Sequence, residues 1–306
     1  MTSGLDAMNE QFLATLGDLQ ARINNAQNQL SSGFRVLKAS DAPQEIGDIF
    51  QSRADLARFN QIEQNLTMVK TQVDAADSSL QTAVQLMESA RVLGAKGLNA
   101  TATAEQQSAL ALQVAALLSQ LVSLSRTEVS GVYIFSGDAT GSPAYQVNPA
   151  SPTGVDRLLI TQATQQVEDP TGLTFQIART AQDLFDKRDN SDNPTAENAF
   201  AALHNLQVAL ESGNSNAISQ AIDTLHTAGA YVNAQLGFYG SAQNRINSAV
   251  DLAKKFEVQA QTGLSRLQDA DVAAAAVELT QANTNLNAAM AARAKRPTAT
   301  LFDYLR

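Results

Sequence analysis

The chain has 306 residues, a formal net charge of −9, 44% hydrophobic and 5% aromatic residues, and neither Cys nor Trp. Lacking Cys, it cannot form disulfides, thiolate metal sites or Cys nucleophiles. Its acid surplus argues against nucleic acid, whose phosphates require clustered Lys and Arg. Few aromatics, 16 Gly and 7 Pro, set against abundant Ala, Leu, Gln, Asn and Ser, favour long helices that pack through small residues.

In chain order, Leu5, Met8, Phe12, Leu16, Leu19, Ile23, Ala26 and Leu30 recur three or four apart and predict an amphipathic helix that stops near Ser31-Ser32-Gly33. After a connector through Lys38, Ser40 or Asp41 is placed to cap a second helix with Pro43 in its first turn and Glu45 nearby. Its stripe, from Phe59 through Leu66, Val73 and Leu80 to Met87, meets no Gly or Pro before Gly94. A helix over 43–93 would be about 75 Å long. A third helix is expected from Ala104 to about Glu128.

Residues 131–195 hold most of the prolines together with short β-prone runs, so a small β-containing insert is expected here. Its predicted strands are Tyr145 to Val147, Arg157 to Thr161 and Leu173 to Ile177, with Asp169-Pro170-Thr171-Gly172 as a turn. Helical pattern returns at Ala196, breaks at Glu211 to Asn214, and resumes near Ser215 in a helix that Gly237 and Gly240 loosen without ending. A last stripe follows at Val272, Ala275, Leu279, Ala282, Leu286 and Ala289, with Arg293, Lys295 and Arg296 favoured by the dipole at that helix's end before Pro297.

The order helices, insert, helices predicts a mainly α fold: an elongated antiparallel helical bundle or coiled-coil rod, with both termini at one end and the β-containing insert at the other. The expected domains are 1–40 with 269–306, 41–130 with 196–268, and 131–195. A lone amphipathic helix leaves its stripe in water, and each buried Leu-sized side chain is worth roughly 1.5–3 kcal/mol. The two terminal stripes are therefore expected to lack cover inside the chain and to serve as assembly surfaces.

Nothing in the sequence points to an enzyme, a metal or a cofactor. His204 and His226 are the only histidines and are expected on a helix surface or in the core, while Asp269 and Asp271, two apart, suit capping of a helix junction. No Gly-x-Ser-x-Gly or Gly-x-x-x-x-Gly-Lys pattern occurs. Asn65-Leu66-Thr67 and Asn99-Ala100-Thr101 match a glycosylation sequon at background frequency. The opening MTSGLDAMNEQF has no signal-peptide character and no run of 18 apolar residues occurs, so neither a cleaved leader nor membrane insertion is expected.

Two segments carry a resemblance. Leu30-Ser31-Ser32-Gly33-Phe34-Arg35-Val36 with Ala39-Ser40-Asp41-Ala42-Pro43 resembles the N-terminal signature of the bacterial flagellin family. Gln243-Asn244-Arg245-Ile246, then Ser265 to Ala273 with Asp269 and Asp271, and Glu278 to Asn283, resemble its C-terminal signature. Val132-Tyr133-Ile134-Phe135-Ser136-Gly137 and the tail Leu301-Phe302-Asp303-Tyr304-Leu305 are more similar to the members that join hook to filament than to filament flagellins.

The resemblance implies a structural flagellar component outside the cell, exported unfolded by the type III apparatus without a cleaved signal. It implies self-assembly into a ring, a hook-associated protein and flagellin as neighbours, and a cytoplasmic export chaperone that holds the C-terminal helices. The assembly interface it implies comprises Leu5, Met8, Phe12, Leu16, Leu19, Ile23, Leu30, Val272, Leu279, Leu286, Leu301, Phe302 and Leu305. A filament flagellin is the alternative, and a cytoplasmic coiled-coil scaffold is what the apolar repeats alone would permit.

Overall fold

The computed structural model describes residues 3–99 and 102–295. Its elements are α1 (Ser3–Ser32), α2 (Ile46–Gly97), α3 (Ala104–Ser125), β1 (Glu128–Val129), β2 (Val132–Tyr133), β3 (Tyr145–Val147), β4 (Val155–Arg157), β5 (Gln166–Glu168), β6 (Thr174–Gln176), α4 (Ala181–Phe185), α5 (Ala199–Ser212), α6 (Ser215–Gln268) and α7 (Val272–Ala294). The fold is mainly α with a small β-containing segment, as the sequence pattern predicts. Two compact units divide it: Met1–Arg58 with Glu257–Arg306, and Phe59–Phe256.

In the second unit, α6 returns along α2. The Phe59 and Phe256 ring centroids are 5.3 Å apart, Gln243 donates to Asp74 at 2.9 Å, and Gly94 lies against Ile222, so the α6 partners run backwards as α2 advances. Both helices keep a seven-residue apolar repeat. On α2, Leu66, Val73, Leu80 and Met87 are buried; on α6, Ile218, Leu225, Val232, Tyr239 and Ile246 are buried. Such a repeat holds one seam against a partner over many turns.

Gly94 and Gly97 were expected to end α2; the helix passes through Gly94 and ends at Gly97. Their role is close approach. A Cβ at Gly97 would lie 2.2 Å from Leu210 Cδ2, and one at Gly94 2.8 Å from Ile222 Cγ1, so lack of a side chain lets α5 and α6 pack there. The start of α2 differs too, at Ile46, because Asp41 turns back on the connector. Helix α3 begins on a capping box between Thr103 and Gln106 and ends at Ser125, before the expected Glu128. It is long and apolar enough to cross a membrane by length and composition, which the count of consecutive apolar residues had excluded. Val114, Leu118, Leu121 and Val122 are nonetheless buried in the core of this unit.

The strands form three separate antiparallel pairs, β1 with β2, β3 with β4, and β5 with β6. Tyr145–Val147 lies where predicted, and β6 falls inside the predicted run. The strand placed at 157–161 is instead Val155–Arg157, set by pairing of Val155 with Val147. The β1–β2 hairpin and β5 carry too few residues for a periodic signal. Residues 131–195 share one core with the helices around them: ring centroids of Phe135 and Phe185, Phe185 and Phe200, and Phe200 and Tyr145 lie 5.9, 6.0 and 5.1 Å apart.

Beside these rings Asp186 is fully buried. Its carboxylate accepts from the Tyr145 hydroxyl at 2.8 Å, Arg188 Nε at 2.9 Å and Asn198 Nδ2 at 2.6 Å. Burial, with this carboxylate alongside, pushes the Tyr145 hydroxyl well above its ordinary range. The replacement Asp186→Ala would leave three donors without their acceptor and should lower unfolding free energy by about 3 kcal/mol. Urea unfolding checks this; a loss under about 1 kcal/mol would mean the donors find other partners.

Candidate assembly surface

In the first unit, α1 and α7 pair antiparallel. Arg293 lies 4.8 Å from the Phe12 ring centroid, Arg22 donates to Glu278 at 2.6 Å, and Phe34 bridges to Asp269. The apolar stripes of the two helices face each other. Leu19 and Ile23 are 6% exposed and Ala26 2%, opposite Ala275 and Ala282 at 3% and 0%. Small residues on α7 let the backbones approach while α1 supplies the larger side chains.

Each terminal stripe thus has a partner within the chain, contrary to expectation, because the antiparallel return brings the stripes face to face. Of the predicted interface residues, Leu19 and Ile23 are interior to this pair. Phe12, Leu16, Leu30, Leu279 and Leu286 are half-buried, and Val272 is exposed. Leu5 and Met8 lie on α1 with side chains that are not described, and Leu301, Phe302 and Leu305 fall outside the described residues. Among the described residues of α1 and α7, the large apolar side chains left in water are Leu13 at 64%, Val272 at 54%, Val277 at 65% and Met290 at 56%. Leu13, Val277 and Met290 lie off the predicted stripes and went unnoticed in the sequence.

Where α1 ends, Gly33 takes φ +75°, a left-handed conformation that glycine adopts without cost, and the chain turns beside the end of α6. The Arg35 and Val36 amides donate to the Gln268 carbonyl at 2.7 and 3.3 Å, and the Ala270 amide donates to the Gly33 carbonyl at 2.9 Å. The Arg35 guanidinium donates to the Leu267 carbonyl at 2.6 Å and also pairs with Glu45. From α2, Arg53 reaches the Gln268 side chain at 2.9 Å. Val36, Ala42 and Ile49 close a small core beneath, packed by Leu264 and Leu267.

Signature residues from both ends therefore meet in one clasp. Asp271 caps α7 by accepting from the Ala274 amide, and Asp269 pairs with Ser265. Asp41, expected as a helix cap, accepts instead from the Leu37 and Lys38 amides at 3.0 and 2.8 Å. Ser31 donates to the Asn28 carbonyl at 3.1 Å, and Pro43 lies in the turn before α2. Asn244 and Arg245 do not join this clasp. They lie in the second unit, where Arg245 stacks 4.2 Å over the Phe175 ring and steadies the β5–β6 hairpin. Gln268 falls within the C-terminal signature segment, whereas Arg53, which reaches it from α2, carried no signal in the sequence. Among the described residues no group of three or more acidic or His side chains is placed to hold a metal.

Residues 6–140 match the bacterial flagellin N-terminal helical region and residues 198–305 the bacterial flagellin C-terminal helical region. The chain belongs to the bacterial flagellin family. It is 23% identical over 297 residues, 95% of each chain, to the flagellar filament 33 kDa core protein of Treponema phagedenis. In fold it is similar to flagellar hook-associated protein-3 from Legionella pneumophila, with TM-score 0.59 and 13% identity over 72% of this chain and 98% of that one. It is likewise similar to FlgL from Xanthomonas campestris, with TM-score 0.58 and 15% identity over 71% and 99%. This flagellin-family chain is a flagellar structural protein.

The Lys38 and Leu37 amides hold the Asp41 carboxyl below the usual carboxylate range. A depressed folded value gives stability that is present above the unfolded value, about 3.9, and lost as pH falls below it. Amide protection at Leu37 and Lys38 should therefore weaken on acidification through that range. In Asp41→Ala it should be weak already at neutral pH, as hydrogen exchange would record.

Proposed function

We propose that this chain is an adapter that joins hook to filament, a ring of subunits assembled outside the cell through their terminal helices. In this reading it is exported unfolded by the type III apparatus, with a cytoplasmic chaperone holding its C-terminal helices until export. Its neighbours are a hook-associated protein on one side and flagellin on the other. The observation that carries the reading is the α1–α7 pair. It is closed along its middle by Leu19, Ile23, Ala275 and Ala282, yet carries Leu13, Val272, Val277 and Met290 in water, apolar area that neighbouring subunits would cover.

The likeness of fold to hook-associated protein-3 and FlgL structures supports the adapter over a filament subunit. The filament flagellin remains the second reading because the Treponema relatives are a filament core protein and a flagellin. Copy number and place separate the two. Immunogold label on isolated flagella should mark one junction, and label along the whole filament would assign the chain to the filament instead.

The geometry also separates assembly from folding. Placing a charge on the outer face by Val277→Asp should abolish swimming while the helical circular dichroism of the purified chain is unchanged. Leu19→Asp buries that charge inside the pair and should cost both swimming and helix content. Normal swimming by both variants would exclude assembly through this pair.

A further inference from the structure

His204 lies on α5 where α3 and the β3–β4 turn close over it. A Cβ added at Gly154 would lie 3.0 Å from His204 Nδ1, 3.2 Å from its Cβ and 2.6 Å from Leu118 Cδ2, and Gly154 has φ +73°. The turn therefore reaches the ring only because it presents glycine there. Nδ1 is sealed from water and has no hydrogen-bond partner. Backbone around it is already engaged: the Asn148 amide donates to the Gly154 carbonyl at 3.0 Å, and the Gly154 amide donates to the Ser151 carbonyl at 2.9 Å. The Thr153 hydroxyl donates to the Val155 carbonyl at 3.2 Å.

A neutral ring fits this site, since Nδ1 can carry a lone pair in place of a proton. In a charged ring both nitrogens are donors, and the Nδ1 proton would be buried without an acceptor. The surrounding charges offer little relief. Helix α3 has no charged residue after Glu105 in its first turn. On β4, the Asp156 carboxylate accepts from the Asn148 amide group at 2.8 Å and Arg157 is paired with Asp192. Glu211, further along α5, favours the charged ring, but burial outweighs it and holds His204 below the ordinary histidine range.

We propose that His204 is an acid-released latch: its protonation frees the β3–β4 turn from α5 and loosens that corner of the second unit. This inference is independent of the adapter role. A histidine with a depressed folded value contributes fully above the unfolded value, about 6.5, and its contribution is lost as pH falls below that. The closed-to-open ratio should drop by about tenfold per pH unit until the folded value is reached.

With two histidines in the chain, a His226→Gln protein gives a single ring signal by proton NMR. That signal should titrate below a histidine-containing peptide unfolded in the same buffer. Hydrogen exchange over residues 148–157, corrected for the intrinsic pH effect, should speed up between about pH 7.5 and about 5.5 in the unaltered chain and stay level in His204→Leu. If that variant does not fold, His204→Gln, polar but unable to titrate, replaces it. A ring that titrates with the peptide overturns the latch, as does acceleration that persists without the histidine.

Discussion

The last carbonyl groups of α6 have no acceptor role within their own helix, and the way they are satisfied decides where both ends of the chain go. The Leu267 and Gln268 carbonyls are met by Arg35 and Val36. Those residues can arrive only because Gly33 turns the chain sharply out of α1. Once that junction closes, α1 and α7 leave it side by side and in opposite senses, and their apolar stripes meet. An interior for the terminal helices is thus a consequence of how two helix ends are capped. The signature segments around Gly33 and around Gln268, more than 200 residues apart in sequence, are the two halves of this one contact.

Much of the fold could be read from the sequence, and what could not shares a single cause. Local signals held. Gly33 ends α1, Ser215 begins α6, Asp271 caps α7, and Gly237 and Gly240 pass inside α6 without a break. The failures lie where a distant partner decides. Gly94 carries the local mark of a helix end, but Ile222, on a helix not yet in view, turns it into a point of close approach inside α2, which runs on to Gly97. Asp41 and Pro43 read as a helix start until the Leu37 and Lys38 amides claim the carboxylate. The short strands are placed by cross-strand partners and the neighbouring core, which no periodicity records.

The candidate surface was legible in the same uneven way. Periodicity located the buried middle of both stripes, though Val272 lies in water, and could not tell that each is the other's cover. Helix pattern reveals which face is apolar, whereas the fraction of that face left in water depends on the partner's width. A stripe of Ala on α7 is narrow, so it seals Leu19 and Ile23 but reaches neither Leu13 on α1 nor Val277 and Met290 around its own circumference.

The two units are built to different depths. In the second, buried rings, two long heptad seams and the fully enclosed Asp186 give a thick interior. In the first, among the described residues, the large buried side chains are Leu19, Ile23, Val36 and Ile49, with the remainder of that interior mostly Ala. At roughly 1.5–3 kcal/mol for each large side chain, such an interior offsets little of the order of 1–2 kcal/mol per residue spent in fixing the backbone. A unit so balanced sits at the low end of local stability. It would gain most from a neighbour that covers Leu13, Val272, Val277 and Met290, so the apolar exposure and the thin core both follow from the narrow Ala stripe on α7.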